Sequence, residues 1–167
     1  VKLESTKPGD TYSGYASASW ATYDTISTEA AAGGPLGGGF SFRLSGLTYR
    51  GCNGYLIELD EKKIFFPGDT AYRTDFKKLR PVDVAFLPIG PCQPAWFMRR
   101  RHLNPEDALQ VAHDLEAKMM IPIHWGTFKL GLESPEEPLI ELLQLVQEKG
   151  LEGKVRVLKS GETLDLV

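Results

Sequence analysis

Three side chains carry the chemistry this sequence offers. Asp69 follows Ile64-Phe65-Phe66-Pro67-Gly68, and His124 follows Met119-Met120-Ile121-Pro122-Ile123, so each stands just past an apolar run. Ends of strands in an open α/β sheet are where ligands bind. A carboxylate and an imidazole are also donor types that zinc or a similar transition ion takes. His102 is the third, on the approach to Asn104-Pro105-Glu106-Asp107, in a stretch that also holds Trp96, Phe97, Met98, Arg99, Arg100 and Arg101. Each position has a plainer reading. An Asp after Gly is ordinarily a turn residue, a lone His at a strand end is ordinarily structural, and an Arg run is ordinarily a solvated face. Spacing alone does not establish a metal site. His113 falls off the apolar face of its helix and reads as a surface residue. Cys52 and Cys92 form no Cys-x-x-Cys pattern. They read as buried reduced thiols of a cytoplasmic protein, not as nucleophiles.

The elements that must present these residues follow from periodicity. Alternating or continuous apolar runs predict strands over 14–22, 40–44, 55–59, 63–66, 82–89 and 119–123. The runs 55–59 and 63–66 form a hairpin through Asp60-Glu61-Lys62. Short strands over 155–158 and 163–167 close the chain around Gly161. Asn104 followed by Pro105 and two acids is a helix start, and Ala108, Val111, Ala112 and Leu115 supply its apolar face. Ser134-Pro135-Glu136-Glu137 reads as a capping box. It opens a helix that faces the core through Leu139, Leu142, Leu143 and Val146 and stops at Gly150. Gly33-Gly34-Pro35-Leu36-Gly37-Gly38-Gly39 reads as a loop, a lid if it lies over a site. No Gly-Lys-Ser/Thr follows it, so it is not a phosphate cradle. The pattern is α/β, with helices against a largely apolar sheet.

Composition bounds the function. The 167 residues are 42% hydrophobic and 25% charged, enough for one domain spanning 1–167 with a real core. With 19 Lys+Arg against 22 Asp+Glu the net charge is −3, which argues against nucleic acid as a partner. No apolar run approaches the ~18–20 residues of a transmembrane segment. Val1-Lys2-Leu3-Glu4-Ser5 has neither a signal pattern nor an initiator Met, so a cut or processed end, with a domain incomplete at its N-terminus, is expected. Only three histidines are present, few for a metal site.

From Tyr55 to Val167 the chain resembles the metallo-β-lactamase superfamily. Within it, it is similar to the branch of N-acyl-phosphatidylethanolamine phospholipase D. Three pieces carry the likeness: Phe66-Pro67-Gly68-Asp69-Thr70-Ala71-Tyr72; Leu87-Pro88-Ile89-Gly90 through Trp96-Phe97-Met98 to His102-Leu103-Asn104-Pro105-Glu106-Asp107-Ala108; and Ile123-His124-Trp125-Gly126-Thr127-Phe128. The resemblance implies the C-terminal half of an αββα sandwich, a mixed sheet with packed helices. It implies that Asp69 bridges two divalent transition-metal ions, zinc by preference, and that His124 ligates one of them. It places His102 beside the active site as a catalytic residue outside the direct ligands. Thr70 reads as a turn residue beside Asp69. Trp96, Phe97 and Arg99 suit a small-molecule or lipid-like ester substrate, and the implied reaction is hydrolysis of a phosphodiester or related ester by metal-activated water.

The family's His-x-His-x-Asp-His cluster is absent, since every histidine lies at 102 or beyond. Asp24 stands where a further histidine of the family is expected and is a candidate ligand in its place. A zinc site takes three or four protein ligands, so the chain alone is expected to bind metal weakly or not at all. An N-terminal companion segment or a homodimer would complete it. The alternative is a non-catalytic relative that serves as a binding or self-association module.

Overall fold

The structure, a computed structural model, describes residues 10–21, 25–38, 40–49 and 52–165. Seven strands form one sheet: β1 Ser13–Ala21, β2 Thr25–Gly37, β3 Phe40–Tyr49, β4 Cys52–Leu59, β5 Lys62–Phe66, β6 Val84–Pro88 and β7 Met119–Ile123. Their order in space is their order in the chain. Strands β1 to β5 pair antiparallel, as short hairpin turns require, whereas β5–β6 and β6–β7 pair parallel. Parallel steps need crossovers. The first carries a 3-10 helix, Thr74–Leu79, and the second carries α1, Ala95–Met98, and α2, Pro105–Asp114; α3, Glu137–Lys149, follows β7.

Local chemistry sets the helix ends. The Asn104 side chain accepts the Asp107 backbone N–H at 2.7 Å, with Pro105 first in α2. At α3 half of the expected capping box forms: the Glu137 carboxylate accepts the Ser134 N–H at 3.1 Å, while no side chain caps the helix start. Gly150 ends α3 in the left-handed conformation, φ +64, which glycine adopts without penalty.

Leu56, Phe65, Ala85 and Met120 fall opposite one another across β4–β7. They face a core of Leu87, Ile89, Leu103, Ala108, Val111, Leu115, Leu142 and Val146. Each large aliphatic side chain buried there contributes roughly 1.5–3 kcal/mol. The alternate residues point the other way. Leu44, Tyr55, Leu59 and Phe66 are all exposed, on a face that no described helix covers. No described helix is long and apolar enough to cross a membrane.

Three expectations change. The stretch from Gly33 to Gly37 is strand, not loop or lid: Gly33 pairs with Arg43 and Gly34 with Phe42. A Cβ at Gly33 would come within 2.6 Å of the Phe42 carbonyl, so glycine permits the close pairing. Gly37 and Gly38 take the left-handed region, at φ +89 and +66, and Gly39 lies outside the described residues. The closing strands do not form among the described residues. Val155 makes a single bridge to Met120, after which the Lys159 N–H turns onto the Glu162 carboxylate at 3.0 Å. Leu143 is 47% exposed, because the apolar stripe of α3 that meets α2 and the sheet is centred on Leu142 and Val146.

Candidate functional site

The site forms where the parallel strands end. After β5, Pro67 and Gly68, the latter at φ +70, swing the chain out so that Asp69 is exposed. The following segment is tied down by Tyr72, whose hydroxyl donates to Asp114 in α2 at 2.7 Å. Burial acts to raise the Asp114 carboxyl, but hydrogen bonds from Tyr72 and Gln110 and the Lys77 ammonium outweigh it and hold it below the ordinary carboxylate range. Thr70 is buried and its hydroxyl donates to the Ala71 carbonyl at 3.2 Å, a turn contact.

His102 comes from the end of the α1 turn, where its N–H donates to the Met98 carbonyl at 2.8 Å. Its Nδ1 lies 2.6 Å from Asp69 Oδ1. His124 ends β7 with φ +63, a left-handed conformation that costs an L-residue roughly 1–2 kcal/mol. Its Nδ1 lies 2.7 Å from the Gly90 carbonyl oxygen. A carbonyl only accepts, so His124 Nδ1 carries a proton, which in the neutral ring leaves the lone pair on Nε2. The same holds for His102 against the Asp69 carboxylate. The two rings lie nearly parallel, 17° apart, with centroids 6.3 Å from one another. The structure thus brings Asp69, His102 and His124 into one row which, with the rings neutral, presents two imidazole Nε2 lone pairs to an electrophile or a proton.

These residues do not fit a complete metal site. Among the described residues no three His, Cys, Asp or Glu side chains are grouped to hold an ion, and one Asp69 oxygen is engaged by His102. Asp24 lies outside the described residues.

A shallow cleft adjoins His124, bounded by Gly90, Phe128, Leu130, Glu133 and Pro138. Trp96 and Phe97, expected to meet substrate, lie outside that lining. Their rings pack edge to face at 5.8 Å while Trp96 is 80% exposed. Arg99 is an ion-pair partner of Asp107 at 3.1 Å, and the other carboxylate oxygen of Asp107 is buried with no partner among the described residues. The Arg101 guanidinium sits 4.5 Å from the Phe97 ring centre. His113 is exposed. Burial, with the carboxylates of Glu133, Glu141 and Asp107, pushes the free Cys92 thiol up to about 12, which removes it as a nucleophile near neutrality. The Cys52 side chain lies outside the described residues. Sequence reading missed Gly90, which acts through a backbone carbonyl, and Glu133, whose partners are 40 and 41 residues away.

The family model for the beta-lactamase superfamily domain matches residues 39–125, just over half of the chain. Over 109 residues the chain is 37% identical to the N-acyl-phosphatidylethanolamine-hydrolyzing phospholipase D 1 of Caenorhabditis elegans, covering 60% of this chain and 31% of that protein. Over 116 residues it is 35% identical to a metal-dependent hydrolase of Listeria monocytogenes, covering 68% and 44%. The chain therefore spans less than half the length of these curated relatives. Among solved structures, a metallo hydrolase from Ignicoccus hospitalis superposes with a TM-score of 0.51 at 25% identity, covering 81% of this chain and 52% of that one. An isothiocyanate hydrolase from Delia radicum gut bacteria superposes with a TM-score of 0.59 at 18% identity, covering 80% and 57%, a likeness of fold alone.

Proposed function

Because the chain belongs to the β-lactamase superfamily, we propose that it forms part of a metal-dependent hydrolase that acts on a phosphodiester or related ester. The observation that carries this reading is the row Asp69–His102–His124 at the ends of β5 and β7, which offers a carboxylate and two imidazole Nε2 atoms on one edge of the sheet. In this reading Asp69 and His124 are donors to a divalent metal, by preference zinc, and other residues supply the remaining donors. The metal would contribute Lewis acidity and a low-pKa water. His102, hydrogen-bonded to Asp69, fixes the orientation of that carboxylate, and its Nε2 lone pair stands ready to take a proton. Exposed Trp96, Phe97, Phe128, Leu130 and Leu132 suit a lipid-like substrate, as does the likeness to a phospholipase. Arg99, already paired to Asp107, would meet an anionic head group only at its outer edge.

Elemental analysis tests the reading, on this chain and on a longer protein carrying the upstream segment, beside hydrolysis of bis-p-nitrophenyl phosphate. The longer protein is expected to hold two metal ions, and Asp69→Ala to lower turnover by more than about 100-fold, beyond the 10–100-fold range of outer-sphere partners. A longer protein without metal, with Asp69→Ala fully active, would overturn it.

The uncovered apolar face around Leu44, Tyr55, Leu59 and Phe66 favours a second reading, self-association without catalysis. Sedimentation at micromolar concentration separates the two. A concentration-dependent dimer combined with an inactive Asp69 site supports association, and a monomer removes it.

A further inference from the structure

The two loops that flank His124 are joined by one carboxylate. Residues 91–94 are Pro91, Cys92, Gln93 and Pro94, so Cys92 and Gln93 hold the only backbone N–H groups of that stretch. Glu133 takes both. One of its oxygens accepts from Cys92 N–H, and the other accepts from Gln93 N–H at 3.1 Å. The link is closed from the other side by Leu132 N–H, which donates to the Gln93 carbonyl at 3.3 Å. Immediately before this stretch lies Gly90, whose carbonyl receives His124 Nδ1–H. The backbone makes room for the clasp at Gly131: a Cβ there would come 2.1 Å from Glu133 Oε2 and 2.9 Å from the Gln93 carbonyl. The clasp contains no member of the apolar core and borders the cleft at His124.

We propose that Glu133 is a positioning residue for His124. By holding the Cys92 and Gln93 amides it sets the Gly90 carbonyl where it accepts from Nδ1, and so keeps the proton on Nδ1 and the lone pair on Nε2. A carbonyl or carboxylate behind an imidazole is what commonly selects its tautomer; in this fold the selecting carbonyl is itself set by a carboxylate that touches neither ring. That Nε2 serves as a metal donor rests on the hydrolase reading above, whereas the tautomer itself does not.

The test is long-range 1H–15N NMR of the two site imidazoles in this chain at about pH 8, above the ordinary imidazole range. In the wild type both His102 and His124 are expected as the Nδ1–H form. In Glu133→Ala, His124 is expected to lose that form as its majority species, while His102, whose partner Asp69 lies outside the clasp, keeps it. Gly131→Ala, which displaces the carboxylate, should reproduce the change. Glu133→Gln keeps one acceptor and should fall between. Leu145→Ala in α3 serves as a destabilised control with the clasp intact and should leave His124 unchanged. In the longer protein, Glu133→Ala is expected to weaken Zn2+ binding about 10- to 100-fold. An unchanged His124 tautomer in both Glu133→Ala and Gly131→Ala overturns the proposal, as does an equal change in Leu145→Ala. A longer protein that binds no zinc, yet shows the tautomer change, supports the clasp and overturns only the metal reading.

Discussion

Strands β1–β3 and the segment from β5 to α3 belong to the same sheet but are held by different means. In the later segment, backbone pairing and apolar burial act together: Phe65, Ala85, Leu87, Met120, Leu115 and Leu142 interlock between sheet and helices. In β1–β3 the pairing is longer, nine residue pairs between β1 and β2 and ten between β2 and β3. Yet among the described residues only Ala31, Gly33, Gly34 and Arg43 of these strands are buried. The side chains there are mostly Ala, Gly, Ser and Thr, which offer the ladder little apolar area to remove from water. A ladder can therefore be extensive without being strong. Every candidate chemical residue that the structure describes lies in the other region, where the strand ends are braced from behind.

The contrast is sharpest in the core. Leu87→Ala removes a fully buried side chain and is expected to cost about 3–5 kcal/mol. Leu44→Ala in β3, at 45% exposure, is expected to cost less than about 1 kcal/mol. Urea unfolding of both variants measures the difference. Equal losses would show that β1–β3 carry as much burial as the helical side and would erase the distinction.

A smaller effect is expected in the pH profile. The folded Asp114 carboxyl sits below its unfolded value, so its contribution is fully present above the ordinary carboxylate range and is lost as the pH falls through the lowered folded value. Tyr72→Phe removes one of the hydrogen bonds responsible. Stability measured from pH 7 down to pH 2 should then show a shallower acid limb. An unchanged limb would mean that Lys77 and Gln110 suffice, and that the brace behind Asp69 is not electrostatic.

What could be read from sequence follows the same division. The start of α2 was legible because Asn104, Pro105 and the two acids act within one turn, and β6 and β7 were legible as apolar runs too short for helices. Asp69, His102 and His124 were legible as residue types at strand or helix ends, and their mutual geometry was not. That geometry depends on contacts such as Gly90 with His124, 34 residues apart, and no local pattern encodes such a distance. Glycine-rich β2 was misread for a related reason. Gly33 and Gly34 serve a close approach of neighbouring strands, which looks in one dimension like turn composition. The closing strands, whose residues 166–167 lie outside the described ones, were overread because short apolar runs suggest pairing even where, among the described residues, the sheet edge takes one bridge.

The strand order that runs from β1 to β7 without a single exchange has a consequence for how the chain tolerates shortening. In most α/β sheets a strand from early in the sequence sits in the middle, and removing it splits the sheet. In this fold the chain can be trimmed from the N-terminal edge one strand at a time. Each cut removes the outermost rung and leaves a continuous sheet with a new border. A cut at the β1 edge therefore falls far along the ladder from the residues at the ends of β5 and β7.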